Sequence, residues 1–308
     1  MSQWNVDPIQ LAYRSLLVAT NSIVLVGLVA LGVVTARNAS LKHHSGVARG
    51  GFLWYKIALW LTVLFYLLSL AASSAQLHRY LVRGYWTTML SVHINRLLWF
   101  AGWIDTVVLA VLMSCIARLI VGTKMAVQQQ GAKGYRIFID VFAGLIIVLG
   151  FAAMVMQQVL YSASRSGFAV ENDVMTFSAL QVAAVGLLII GGLANTIFSW
   201  IQRSATRKEA TGAYKSVGTF ISAIATINFV LFVWSFVGNI IFNIVVAPIQ
   251  DPVGWFFTEV FVTRIATVAV LWLIYKLGAK EEGGLWLSTE PHGSGVPKSS
   301  NEISVTQV

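Results

Sequence analysis

The chain has 308 residues, of which 57% are hydrophobic and only 11% charged. A soluble domain carries about 25% charge, so a water-soluble fold is excluded: the surplus apolar surface has to face lipid or other helices. The net charge of +9 is spread over loops too short to form a nucleic-acid-binding domain, and suits a membrane protein lying on an anionic cytoplasmic leaflet.

A membrane helix needs about 20 largely apolar residues, and seven segments supply them. The first, 15–36, follows a short segment, 1–14, without the charged-apolar-cleavage pattern of a signal peptide. The second is 52–75. The stretch Gln76–Arg96 after it holds Arg79, Arg83 and Arg96 with Tyr80, Tyr85 and Trp86, a composition suited to the membrane interface. The third span, 97–121, contains Asp105 and the single cysteine, Cys115, which reads as a small packing residue. The fourth, 137–161, has Asp140 near its start, and the fifth is 174–200. In the sixth, 217–246, Gly218, Ser222 and Thr226 recur every four residues, which lets a neighbouring helix approach closely. The seventh, 253–277, contains Glu259 and Arg264. These runs are continuous and not alternating, which argues against membrane strands. The expected fold is all-α, a seven-transmembrane helix bundle over 15–278. The tail 279–308 is rich in Gly, Ser and Pro and reads as disordered; its last residues, Thr306-Gln307-Val308, resemble a PDZ ligand.

Orientation follows the distribution of Lys and Arg over short loops. Fourteen fall on one side, including Arg37, Lys42, Arg49, Arg118, Lys124, Lys133, Arg136, Arg203 and Arg207, against five on the other. The rich side is cytoplasmic, so the N-terminus is expected outside and the C-terminus in the cytoplasm. The sequon Asn38-Ala39-Ser40 then lies inside and escapes glycosylation. Trp54, Trp200 and Trp272 fall near the inner interface, Trp86, Trp99 and Trp255 near the outer one, the depth that indole rings favour.

Ionisable groups at membrane depth are costly and mark functional or bridging sites. Asp105, Glu259 and Arg264 form the candidate buried polar site. Asp105 lies about 12 Å and Arg264 about 16 Å below the outer ends of their helices, at ~1.5 Å per residue, so a pair between the third and seventh spans is feasible. Glu259 is about 140° around its helix from Arg264 and nearer the outside. Lys56 and Asp140 each sit one turn inside their helices at the cytoplasmic end and are a candidate inner ion pair, provided that the second and fourth spans pack together. The amides Asn21, Gln157, Gln158, Gln181, Asn195, Asn228, Asn239 and Asn243 read as interhelical hydrogen-bonding groups.

Several chemistries lack their residues. The five histidines (His43, His44, His78, His93, His292) lie in loops or the tail, so no intramembrane metal site is expected. No Gly-rich phosphate loop or nucleophile elbow occurs, so no catalytic residue and no cofactor is assigned. A retinal pigment needs a lysine at mid-depth of the last span, where this chain has Arg264. The topology resembles that of G-protein-coupled receptors, but the inner end of the third span reads Ala117-Arg118-Leu119 without the preceding acid, and the last span lacks the Asn-Pro motif. None of the five prolines interrupts a span, whereas many secondary transporters bind substrate at interrupted helices.

In size, span count and the acid within the third span, the chain resembles fungal heptahelical membrane proteins, which include receptor-like families and a lipid-translocating-exporter-like group. The exporters' Gln and triple-Gly pattern after that acid is replaced by Thr106-Val107-Val108, and no residue role transfers. The expected function is therefore a receptor-like sensor of a small molecule in the plasma membrane or an endomembrane, with the lipid bilayer and a cytoplasmic protein at the basic inner loops as partners. The alternatives are a transporter or lipid-handling protein, and a structural membrane protein without a ligand.

Overall fold

Continuous apolar runs leave the backbone no partner in lipid except itself, so each run closes its own hydrogen bonds as a helix. The computed structural model describes residues 8–38, 41, 49–81, 87–128, 132–165, 171–209, 214–243 and 260–279. Its helices are α1 (Pro8–Arg37), α2 (Gly51–Leu81), α3 (Thr87–Gln128), α4 (Lys133–Arg165), α5 (Glu171–Glu209) and α6 (Tyr214–Asn243). A π-helical segment (Val260–Ile265) then runs directly into α7 (Ala266–Ala279). Helices α1 to α6 are each long and apolar enough to cross a membrane.

The helices outrun the apolar segments that announce them. The third span is expected over 97–121, yet α3 has 42 residues, about 63 Å at ~1.5 Å per residue, roughly twice the hydrocarbon thickness. Hydropathy registers only the part in lipid, whereas His93, Asn95 and Arg96 at one end and Lys124 and Gln128 at the other are compatible with helix in the headgroups. For the same reason most of the expected connecting stretch Gln76–Arg96 is helical: α2 continues to Leu81 and α3 starts at Thr87.

Helix α3 is the axis of the bundle. It packs against α2, α4, α5 and α6, and 83% of its apolar stretch is buried, against 22% for α1, α4 and α5. Around it, α1 to α6 neighbour one another in chain order, and α7 closes the ring against α6, α1 and α2. Two cores meet on α3. One joins α1, α2, α3, α6 and α7 through Leu28, Tyr55, Tyr66, Leu112, Ile116, Ile224 and Leu271. The other joins α3, α4, α5 and α6 through Met113, Ile139, Ile146, Leu188 and Phe232. The opposite faces of α1, α4 and α5 expose Ile23, Val26, Val141, Val148, Ile190 and Ile197, as helices bathed in lipid do.

Candidate functional site: polar clusters at the two ends of the bundle

At the end expected to face outward, a chain of polar groups from α1, α2 and the π-helical segment adjoins Tyr66. Its side chain is buried in the core. The Arg264 guanidinium, in the π-helical segment, lies 5.9 Å from the centre of the Tyr66 ring and donates to Asn21 Oδ1 on α1. Asn21, itself buried, donates from Nδ2 to Ser73 Oγ on α2 at 3.3 Å. Asp105 is half-buried on α3. Helices α3 and α7, which carry the two charges that the sequence set opposite each other, share no extended packing among the described residues. Arg264 lies in a π-helical segment, and such turns are frequent at functional sites. Glu259, the third residue expected here, lies outside the described residues, as does the tail from 280 onward.

The other end is built around Arg118. Its Nη2 donates to Asp140 Oδ2 of α4 at 2.7 Å, and its guanidinium lies 4.4 Å from the centre of the Trp54 ring of α2. Arg136, one turn before Asp140, brings Nε to 3.7 Å from the same oxygen. Two arginines therefore share one carboxylate. The expected Lys56–Asp140 pair requires α2 to pack on α4. It does not: α3 stands between them, and no extended α2–α4 packing occurs among the described residues. Asp140 takes the cation of the intervening helix, while Lys56 feels the like charge of Arg49, which is buried over the Phe52 ring at 5.2 Å.

Beside this ion pair, Asn195 of α5 ties three helices together. It donates from Nδ2 to the Met113 carbonyl of α3 at 2.9 Å and accepts from the Tyr135 hydroxyl of α4, whose ring stacks on Phe198 at 4.1 Å. Asn195 is 1% exposed. Asn195→Leu leaves the half-buried Tyr135 hydroxyl without its acceptor and is expected to cost about 1–2 kcal/mol. Thermal unfolding in detergent, followed by tryptophan fluorescence, checks this; an unchanged midpoint for Asn195→Leu would show that the clamp contributes nothing. A further amide, Asn228, is buried with no hydrogen-bond partner among the described residues.

Each tryptophan assigned by sequence to the inner interface has a cation over its ring. Arg118 covers Trp54, Arg203 lies 5.4 Å from Trp200, and Lys276 lies 4.9 Å from Trp272. Trp200 and Trp272 are about half exposed, as residues of an interfacial belt are. Sequence reasoning treated Arg118 as a loop cation and passed over Tyr66 and Tyr135. The missed signal was position: Arg118 stands inside the predicted third span, and Tyr66 at mid-depth of the second, where a polar group needs an internal partner.

Helix length, apolar exposure and interfacial tryptophans define the class: an all-α, multi-spanning integral membrane helix bundle. Compared with protein-family models, curated proteins and solved structures, the chain matches none. Its function has to be argued from its own polar clusters.

Proposed function

We propose that the chain crosses the bilayer seven times, N-terminus outside and C-terminus in the cytoplasm, and works as a receptor-like sensor of a small polar molecule. The site is the outer cluster of Asn21, Tyr66, Asp105 and Arg264. The observation that carries this reading is the pair of opposite charges, Asp105 and Arg264, half-buried on elements without extended mutual packing, with the Arg264 guanidinium beside the buried Tyr66 ring. Such an arrangement offers both an acceptor and a cation to a ligand entering from outside. The orientation is supported by the clustering of cations and exposed tryptophans at the Arg118 end, as the positive-inside rule requires. Helix α3 would couple the two ends, since Asp105 and Arg118 lie 13 positions apart on it, about 20 Å along the axis. No catalytic residue is assigned.

A structural role is the second reading, favoured by one observation: Arg264 already donates to Asn21, which in turn donates to Ser73, so three elements are tied without any ligand. Asp105→Asn and Arg264→Gln, singly and together, separate the two. For a sensor, all three variants should elute as wild type on size exclusion. A carboxylate or zwitterion that raises the wild-type unfolding temperature, found in a panel of small metabolites, should then fail to raise that of either single variant. Collapse of the singles with recovery in the double variant establishes the structural role instead. Topology is tested by tags at both termini: tags reporting the same side sink the seven-span arrangement.

A further inference from the structure

Helix α4 begins with a cationic patch that runs into an exposed apolar stripe. Lys133 and Arg136 are exposed, the Arg136 side chain to 53%, and with Asp140 they follow at spacings of three and four, on one face. Behind them Arg118 of α3 approaches Asp140 at 2.7 Å. The two guanidinium groups repel one another across that shared carboxylate. Three cations against one carboxylate leave an excess of two positive charges at this end of the helix. The stripe starts at the next residue: Ile137, Val141, Val148, Val155 and Val159 are all exposed and, at 100° per residue, lie about 40–80° round the helix from Lys133 and about 100–140° from Arg136. Gly144 lies within this stripe, and the space where its Cβ would stand is open.

We propose that this face of α4 is a site for an anionic phospholipid, with the headgroup phosphate held by Arg136 and Lys133 and the acyl chains laid along the stripe from Ile137 upward. Guanidinium matches phosphate with paired N–H donors, and Arg118 adds positive potential from behind while remaining paired to Asp140. An amphiphile fits better than free phosphate or an acidic protein segment, because the apolar stripe begins beside Lys133, and the change from charge to hydrocarbon between Arg136 and Ile137 sets the headgroup level there. This inference does not rest on the sensor reading.

The test uses the full chain in nanodiscs of phosphatidylcholine, alone or mixed with phosphatidic acid; both faces of a nanodisc carry the same lipid, so the outcome is independent of orientation. Phosphatidic acid is expected to raise the wild-type unfolding midpoint by about 3 °C or more. Arg136→Gln loses most of that gain, Arg136→Lys keeps part of it, and Arg207→Gln, on an exposed cation of α5, keeps all of it. Native mass spectrometry of wild type is expected to show a retained phosphatidic acid adduct that Arg136→Gln lacks. Equal gains in wild type and Arg136→Gln overturn the proposal. So does an equal gain from inorganic phosphate added to the phosphatidylcholine discs, which assigns the patch to free phosphate, or a gain from a polyglutamate peptide without one from lipid, which assigns it to an acidic protein partner.

Discussion

Gly192→Leu is expected to eliminate folded, monodisperse protein. A Cβ at Gly192 would lie 2.5 Å and 3.1 Å from two ring carbons of Phe232 and 3.4 Å from Phe229. Phe232 is fully buried in the second core, and a flat ring wedged there cannot fold aside as a flexible chain can. Overpacking of this kind costs about 1–3 kcal/mol; a full leucine side chain must also push α5 away from α6. That separation breaks two bonds on the same seam: Thr196 Oγ1 to the Ala225 carbonyl at 3.2 Å and Trp200 Nε1 to Thr226 Oγ1 at 3.3 Å. Gly186 is the control. It lies on the same helix with open space at its Cβ position, so Gly186→Leu should elute as wild type. If Gly192→Leu also gives a symmetric size-exclusion peak and an unchanged unfolding midpoint, then close α5–α6 packing is not what holds this half of the bundle.

The second large effect is expected at the Arg118–Asp140 ion pair. Asp140→Ala removes the carboxylate that both Arg118 and Arg136 face. Arg118, with its side chain 14% exposed, is left against Trp54 with a like charge nearby and no counter-ion from α4. Breaking a buried pair on one side costs about 3–5 kcal/mol; partial exposure of Asp140, at 30%, moves the expectation to the lower end, about 3 kcal/mol. Removing both charges should restore stability, because well-packed apolar groups replace such pairs at little or no cost. The double variant Arg118→Met with Asp140→Leu is therefore expected to unfold within a few degrees of wild type, while Asp140→Ala unfolds well below it. Equal destabilisation of the single and double variants would mean that the loss comes from shape and not from charge.

These effects show where the sequence could and could not be read. The apolar runs located α1 to α6 because a helix in lipid has to be both continuous and apolar. Their ends were underestimated, most of all in α3, because polar residues in the headgroup region continue a helix without leaving a hydropathy signal. Asp105, Arg264 and Asp140 were identifiable as costly intramembrane groups, but their partners were not. Depth along each helix follows from residue number, so Asp105 and Arg264 could be placed at one level and Lys56 and Asp140 at another. Which helices stand side by side does not follow from depth. Asp140 illustrates this: among the described residues α2 and α4 share no extended packing, and the acid meets Arg118 of α3.

By itself the sequence determined that this protein lives in a membrane, that it is all helical, roughly where each span lies, and which end collects the cations and tryptophans. All of these follow from composition along one dimension and from the cost of polar groups in hydrocarbon. The tertiary structure alone decided that α3 is the axis, that α7 closes the ring onto α1, that Arg264 meets Tyr66 and Asn21, and that Asn195 joins α3, α4 and α5. Lipid tails are as apolar as the helix faces, so hydrophobicity does not choose neighbours within a bilayer. That choice falls to shape and to a few interhelical hydrogen bonds and ion pairs, at contacts such as Gly192 against Phe232 and Arg118 with Asp140, between residues distant in the chain.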